Sequence, residues 1–393
     1  MRKATVRLGE IAHVTSGGTP DRERPEYWGG TIPWVKTSLI QNCEINLADI
    51  DEFITEEGLK KSAAKIIPAG SILMAMIGQG KTRGQVAILN TDAAINQNCA
   101  ALILKKGFDT RYVYQQLLYR YEELRTASNS SGQQNLNAGL IRDFSIPYAD
   151  SHQQVVIGAI LSDWDTAIET TERLIAAKEA YIGGVTARLY HRRPGWTRHR
   201  LGDFLQEIKV LHGDGDYVIG SVGKNGIKPR HEVYSKELTS NHERNLLVKP
   251  GWLCFGLASD CMAFGINSTN QTYSVSPAYR TFQIKGADPC FFEDYLRVFN
   301  ARLSKRFLIT SARQGKAIDF EGLFNTECYF PSLEEQQQIA SAVLLMREEL
   351  DRFRQLLDAL KRQKRGLMQK LLTGQWRVPP SNAESTDKEP APC

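Results

Sequence analysis

The sequence predicts an α+β protein in which two mixed α/β domains are separated by two long antiparallel helices, forming a pseudo-twofold internal repeat. Two observations carry this. HQQVVIGAILSDWDTAIETTERLIAAKEAYIGGVTARL, from His152 to Leu189, lies without a gap over EQQQIASAVLLMREELDRFRQLLDALKRQKRGLMQKLL, from Glu335 to Leu372. In that register Gln153, Gln154, Leu161 and Leu174 meet Gln336, Gln337, Leu344 and Leu357. The segments before the two stretches echo each other more weakly: LGEI at Leu8 returns as LGDF at Leu201, IPAGSILMAM at Ile67 as KPGWLCFG at Lys249, and NQNCAALI at Asn96 as NQTYSVS at Asn270.

Taken in order, the first 150 residues are short apolar runs broken by turns, such as VAILN and CAALIL, which is a strand pattern. SGGTPDRERPEYWGG, from Ser16 to Gly30, is a shaped loop. Its glycine pairs permit tight turns, and Pro20 and Pro25 stiffen what lies between. RYVYQQLLYRYEELRTA reads as a short helix. The first long helix follows Pro147 and carries a rough stripe through Ile160, Trp164, Ala167, Thr171, Leu174, Tyr181 and Val185, interrupted by Lys178 and weakened at Gly183 and Gly184. The second domain repeats the pattern with DYVIGSV and RTFQI, then FFEDYLRVFNARLSKRFLITSA as a helix. The second long helix follows Pro331 and sets Leu350, Phe353, Leu357, Leu360, Lys364, Leu367 and Leu371 alternately three and four residues apart, a coiled-coil seam. Leu161, Leu174, Leu357 and Leu360 are the expected helix-packing residues. The expected divisions are 1–150, 151–193, 194–332 and 333–377, with a disordered tail over 378–393 rich in Pro, Ser and charge.

Composition narrows the function without choosing it. The chain has 393 residues and a formal net charge of +5, which suits an anionic partner but does not demand one. No apolar run is long enough to span a bilayer, and MRKATVRLGEI is unlike a secretory signal, so the expected location is cytoplasmic, with no membrane partner. Seven cysteines without a CxxC pair indicate neither a disulfide framework nor a zinc knuckle.

The motifs of common catalysis are missing. GQGKT at Gly78 lacks the first glycine of a phosphate loop, since Ala75 stands there, although its glycines, Lys81 and Thr82 suit a DNA backbone or an ordinary turn. Asp214 and Asp216 in HGDGDY have no third acidic group and read as a polar turn. The seven histidines form no HExxH. Two similar domains on long helices are suited to two separated sites on one duplex, or to two faces of a protein.

Particular residues go further. LGEIAHVTSGGTPDRERPEYWGGTIPWVKT, IPAGSILMAMIG, the NQN at Asn96 and SSGQQNLNAGLIRDFSIPYADSHQQ occur in an order that resembles the specificity subunit of a type I restriction–modification system. FPSLEEQQQIA and GLMQKLLTGQWR resemble that family's second helical region. The resemblance spans nearly the whole folded chain. It implies a non-catalytic subunit with two target-recognition domains, each reading half of a bipartite asymmetric site in double-stranded DNA. It also implies two modification (methyltransferase) subunits and restriction (translocase/nuclease) subunits as partners. These would use S-adenosylmethionine, ATP and Mg, while this chain would bind no cofactor. After LGDF the second domain has no counterpart of SGGTP–WGG, as halves that read different sequences would show.

Loop residues able to meet phosphates or base edges are then Lys36, Thr37, Lys81, Arg83, Gln134 and Asn135 in the first domain, and Lys224, Asn225, Lys228, Arg313 and Lys316 in the second. The competing class is a standalone protein-binding or phage-adaptor scaffold. A fused nuclease–methyltransferase is disfavoured by the missing catalytic motifs.

Overall fold

The computed structural model describes residues 4–78, 80–130, 135–224, 226–234, 242–310 and 316–379. The tail expected to be disordered lies, from residue 380 onward, outside the described residues. The chain forms two compact units, Met1–Glu172 with Gln355–Cys393, and Arg173–Arg354. Each unit therefore holds part of both long helices, Ser151–Leu189 and Leu333–Leu372.

In the first unit a five-stranded sheet has the order Ala12–Ser16, Cys99–Leu104, Ile72–Ala75, Val86–Leu89, Cys43–Ile45. ILMA and VAIL are buried at every position, because alternate residues enter two different cores. Ile72, Met74, Val86 and Ile88 join Leu8, Leu102, Val113 and Leu117 on one face. Leu73, Ala75, Ala87 and Leu89 join Val35, Ile45 and Ile95 on the other. A second sheet pairs Trp28–Val35 in parallel with Ala93–Ile95. The SGGTP–WGG loop is fastened into this region. Trp34 Nε1 donates to the Gly18 carbonyl (3.0 Å), Trp28 Nε1 donates to that of Asp21 (3.0 Å), and the Arg22 guanidinium lies 3.8 Å over the Trp28 ring. Gly17 is required by proximity, since a Cβ there would sit 1.9 Å from the Ile95 carbonyl oxygen. The loop is a brace between sheets.

The second unit repeats the first four strands of this order with different residues: Leu205–Glu207, Arg280–Ile284, Leu253–Phe255, Phe264–Ile266. Its second sheet again has a parallel pair, Val218–Gly223 with Tyr273–Val275. Its core is aromatic where the first is aliphatic: Phe255, Phe282, Phe291, Phe292 and Phe330 are almost wholly buried. Backbone bonds show which residues correspond. Gly70 N–H bonds the Leu89 carbonyl (2.7 Å) as Gly251 N–H bonds that of Asn267 (2.8 Å), both glycines at positive φ. The PAG and KPG echo is thus structural.

Two other echoes are corrected. Asn96 turns the chain after Ala93–Ile95, its carbonyl accepting from Cys99 N–H (3.0 Å). The equivalent turn after Tyr273–Val275 is made by Ser276, accepting from Tyr279 N–H (3.0 Å). NQT at Asn270 precedes that strand, so it is not the partner of NQN. The gap-free helix register is also off by one. Gln154 Oε1 accepts from Asp109 N–H (3.0 Å) and its Nε2 donates to the Ala149 carbonyl (2.8 Å). It is Gln336 that makes the same pair of bonds, to Asp288 N–H (2.9 Å) and the Pro331 carbonyl (3.0 Å). Gln154 therefore corresponds to Gln336.

Within the first unit the helices run antiparallel, with Asp165 paired to Lys364 and Glu172 to Lys361 (2.7 Å). Within the second, Lys178 pairs with Glu349 (2.8 Å) and Arg354 with Glu179 (2.6 Å), again antiparallel. Leu161 is fully buried, and Leu357 and Leu360 are half-buried. Leu174 departs from the expected seam. It is 40% exposed, while Ile175 is 9% exposed, because the covered stripe runs through Ile157, Leu161, Thr171, Ile175 and Ile182. The helix also continues unbroken through Gly183 and Gly184. One further expectation fails. The helix Pro289–Phe307 stops before LIT, which becomes the strand Leu308–Thr310 paired with Lys316–Ile318, as its β-branched Ile and Thr favour.

Candidate nucleic-acid interface

Lys36 follows the strand Trp28–Val35, and its charge is already matched. Nζ lies 2.8 Å from Asp51 Oδ2 and 3.3 Å from Glu52 Oε1. The hydrogen bond that Lys36 donates to Asp51 holds the ammonium above its ordinary pKa and holds the Asp51 carboxyl below its own. Thr37 turns inward, its hydroxyl 3.4 Å from Asn96 Oδ1 and 3.3 Å from Cys99 Sγ. Burial pushes that thiol up to about 11. These two residues order the turn at the end of a strand.

The remaining described candidates of the first unit gather around one loop. Ile72–Ala75 and Val86–Leu89 are joined by residues 76–85, closed by Ala75 N–H on the Gln85 carbonyl (2.9 Å). Lys81 is exposed on this loop and makes no ion pair among the described residues; Arg83 is half-buried two residues on. The chain before the short helix Ala138–Asp143 is tied to the same loop by Leu136 N–H on the Met76 carbonyl (3.0 Å). That bond brings the exposed Asn135 alongside. Gln134 lies outside the described residues.

The second unit assembles the same corner from different chain. Leu253–Phe255 and Phe264–Ile266 are joined by a loop closed by Gly256 N–H on the Ala263 carbonyl (2.8 Å). Lys316, exposed, stands on the segment bridged to Ala258 of this loop. Lys224, at the turn between Val218–Gly223 and Gly226–Pro229, reaches to 4.0 Å from Asp260 of the loop. Both partners are largely exposed, so this contact contributes little and leaves the cation available. Lys228 is exposed on the adjoining strand. Asn225 and Arg313 lie outside the described residues.

Sequence reading missed the side chains that hold these loops from below. The Tyr121 hydroxyl donates to the Lys81 carbonyl, and Arg125 Nη1 donates to the Tyr121 oxygen (2.6 Å). In the second unit Asn300 Nδ2 donates to the Met262 carbonyl (3.0 Å), and Arg297 Nη1 donates to that of Lys224 (3.1 Å). The one signal in the sequence was an aspartate opening the helix Thr110–Tyr119, which ends just before Tyr121, and another opening Pro289–Phe307, which carries Arg297 and Asn300. Asp109 and Asp288 accept from Tyr112 and Phe291 N–H, at 2.7 and 2.9 Å. Chemically, among the described residues the first corner offers a cation and an amide, and the second offers cations. Among the described residues no group of three or more His, Cys, Asp or Glu is placed to hold a metal.

Residues 2–179 match the family described as type I restriction modification DNA specificity domain. The MjaIX type I restriction enzyme specificity subunit of Methanocaldococcus jannaschii is 30% identical over 170 residues, 42% of this chain and 39% of that one. The EcoR124I/EcoR124II specificity subunit of Escherichia coli is 28% identical over 165 residues, 40% of each chain. The alignments thus span about two fifths of these relatives. Among solved structures, a chain from a study of complex assembly and conformational transition in the type I R-M system has a TM-score of 0.58 at 14% identity. That likeness covers 96% of this chain and 99% of that one. The type I S subunit from M. genitalium scores 0.57 at 13% identity, covering 95% and 96%. At such identities these structures establish the fold. Residues 2–179, a little under half of the chain, thus carry the likeness to the type I restriction modification DNA specificity domain, and the fold is shared with these two solved structures along nearly the whole chain.

Proposed function

We propose that the chain is a non-catalytic DNA-recognition subunit of a type I restriction–modification complex, each unit reading one half of a bipartite asymmetric sequence. The observation that carries the reading is a duplicated corner. The same strand-joining loop in both units gathers exposed Lys81 and Asn135, or Lys224 and Lys316, from unrelated local sequence. Cations on an ordered loop hold phosphates, and neighbouring amides and loop tips meet base edges in the groove. Divergence between the two corners is what an asymmetric site requires.

In this reading the recognition domains are residues 1–150 and 194–332, carried on the helical regions 151–193 and 333–377. Two modification subunits supply S-adenosylmethionine chemistry on adenine. Restriction subunits add ATP- and Mg-dependent cleavage, and this chain carries no cofactor. No described helix is long and apolar enough to cross a membrane, and we place the complex in the cytoplasm.

The test is co-purification with the modification subunits, followed by mapping of methylated adenines across a host genome. One bipartite motif is the expected result. Failure to form a stable complex, or methylation at a continuous motif, would overturn the assignment.

A further inference from the structure

We propose that Tyr121 in the first unit, and Asn300 and Arg297 in the second, are positioning residues that hold the lysine-bearing corners in the shape that engages DNA. The proposal rests on the reading above and adds to it the side chains that act through the loops.

A loop as rich in glycine as GQGKT does not keep one shape unaided, since each glycine has the most backbone freedom to lose. What fixes it here is the helix Tyr121–Ser130. The Tyr121 hydroxyl caps the Lys81 carbonyl, and Arg125 caps the Tyr121 oxygen while its guanidinium lies 5.3 Å over the ring. Gly84 closes the loop at φ +86°, where a Cβ would come 3.3 Å from Arg125 Cγ and 3.6 Å from the Tyr121 ring. Loop and helix are in close contact.

The second unit does the same with other chemistry. Asn300 follows Asp288 by the interval at which Tyr121 follows Asp109. Asn300 Nδ2 donates to the Met262 carbonyl at 3.0 Å. The Ser304 hydroxyl accepts from Met262 N–H at 2.9 Å and donates to Asn300 Oδ1 at 2.8 Å. One turn earlier Arg297, paired with Glu293, caps the Lys224 carbonyl at 3.1 Å. Tyr–Arg in one unit and Asn–Ser in the other share no chemistry, yet each spends a buried or half-buried donor on a carbonyl of the same loop. A solvated loop carbonyl needs no such partner. The contact specifies shape, and a cation held in place loses less entropy when it meets a phosphate.

The experiment uses the full-length chain in two measurements. Trypsin cleavage after Lys81 and Lys224 reports loop shape without DNA. Affinity for a labelled mixed-sequence duplex, measured against salt, reports phosphate contact. Tyr121→Phe keeps the ring and removes one hydroxyl, so the thermal midpoint stays at the wild-type value. It is expected to speed cleavage after Lys81 and weaken duplex binding about three- to tenfold, with a shallower salt slope. Tyr121→Phe with Lys81→Ala should bind no worse than Lys81→Ala alone. Arg297→Gln should do to Lys224 what Tyr121→Phe does to Lys81. Unchanged cleavage, faster cleavage with affinity retained, or losses that add to those of Lys81→Ala would each overturn the proposal. A wild-type chain that binds no duplex overturns the DNA reading itself, and the trypsin arm separates that failure from a loop that is simply not braced.

Discussion

A buried glutamine carries more of this architecture than any charged residue on its surface. Gln154 is 2% exposed and joins two segments, taking the Asp109 N–H that opens the helix Thr110–Tyr119 and giving its own amide to the carbonyl of Ala149, just before its own helix. The Ala149 carbonyl is buried and the Asp109 N–H part-buried, so removing the amide leaves a buried acceptor and a part-buried donor without this partner. Gln154→Leu should lower the unfolding free energy by about 2–4 kcal/mol. Hydrogen exchange at the Asp109 and Tyr112 amides should rise with it. Gln336→Leu should reproduce the loss at Asp288 and Phe291, because Gln336 is 3% exposed and bonded in the same way. A loss at one site alone would show that the two glutamines are not equivalent. Lys36, a cation whose polar loop suggested phosphate, pairs with Asp51 and Glu52 in the fold.

At the scale of elements, the helical seam is set by which residue faces the partner helix, and a shift of one position moves a side chain about 100° around the axis. Leu174 and Ile175 test this directly. Ile175→Ala should cost about 2–3 kcal/mol, as truncation of a buried aliphatic does, and Leu174→Ala should stay within about 0.5 kcal/mol. Equal losses in denaturant unfolding would refute the assignment of the seam. The second long helix was legible because Leu350, Phe353, Leu357 and Leu360 repeat the coiled-coil spacing without interruption. The first helix was legible in existence but not in phase, since the expected stripe took the exposed Leu174 and Tyr181 where the covered positions are Ile175 and Ile182. Lys178 is accommodated by Glu349 and by its position 5.0 Å over the Phe353 ring. Matching letters misled the alignment of the domains for a similar reason. What Asn96 and Ser276 share is a side-chain oxygen accepting from a backbone N–H two residues on, at 2.8 and 3.3 Å. Two residue types serve that turn, so identity did not reveal it. The braces under the loops were hidden more deeply, because a tyrosine and an asparagine perform one task on different carbonyls.

At the scale of the whole chain, sequence order and structural membership do not coincide. Residues from Gln355 onward follow the second unit in sequence but belong to the first. Met368, Leu371 and Leu372 are buried in the same core as Leu8, Val113, Leu117 and Ile157. The Leu372 carbonyl accepts from Gln116 Nε2 at 3.0 Å, and the His152 ring lies 3.1 Å from the Pro379 carbonyl. The core of the second unit, with Tyr190, Phe291, Phe330 and Val343, draws on none of these residues. Ending the chain after Arg354 should therefore damage the first unit, which begins at the opposite end of the sequence. Hydrogen exchange should show protection lost over Val113, Leu117 and Leu161, and the salt-sensitive DNA contact assigned to Lys81 should go with it. Phe255, Phe282 and Phe292 should keep theirs, because every neighbour in their core remains. Loss of protection confined to residues around the cut, with Leu117 still protected, would mean that the terminal segment only covers a core able to stand without it.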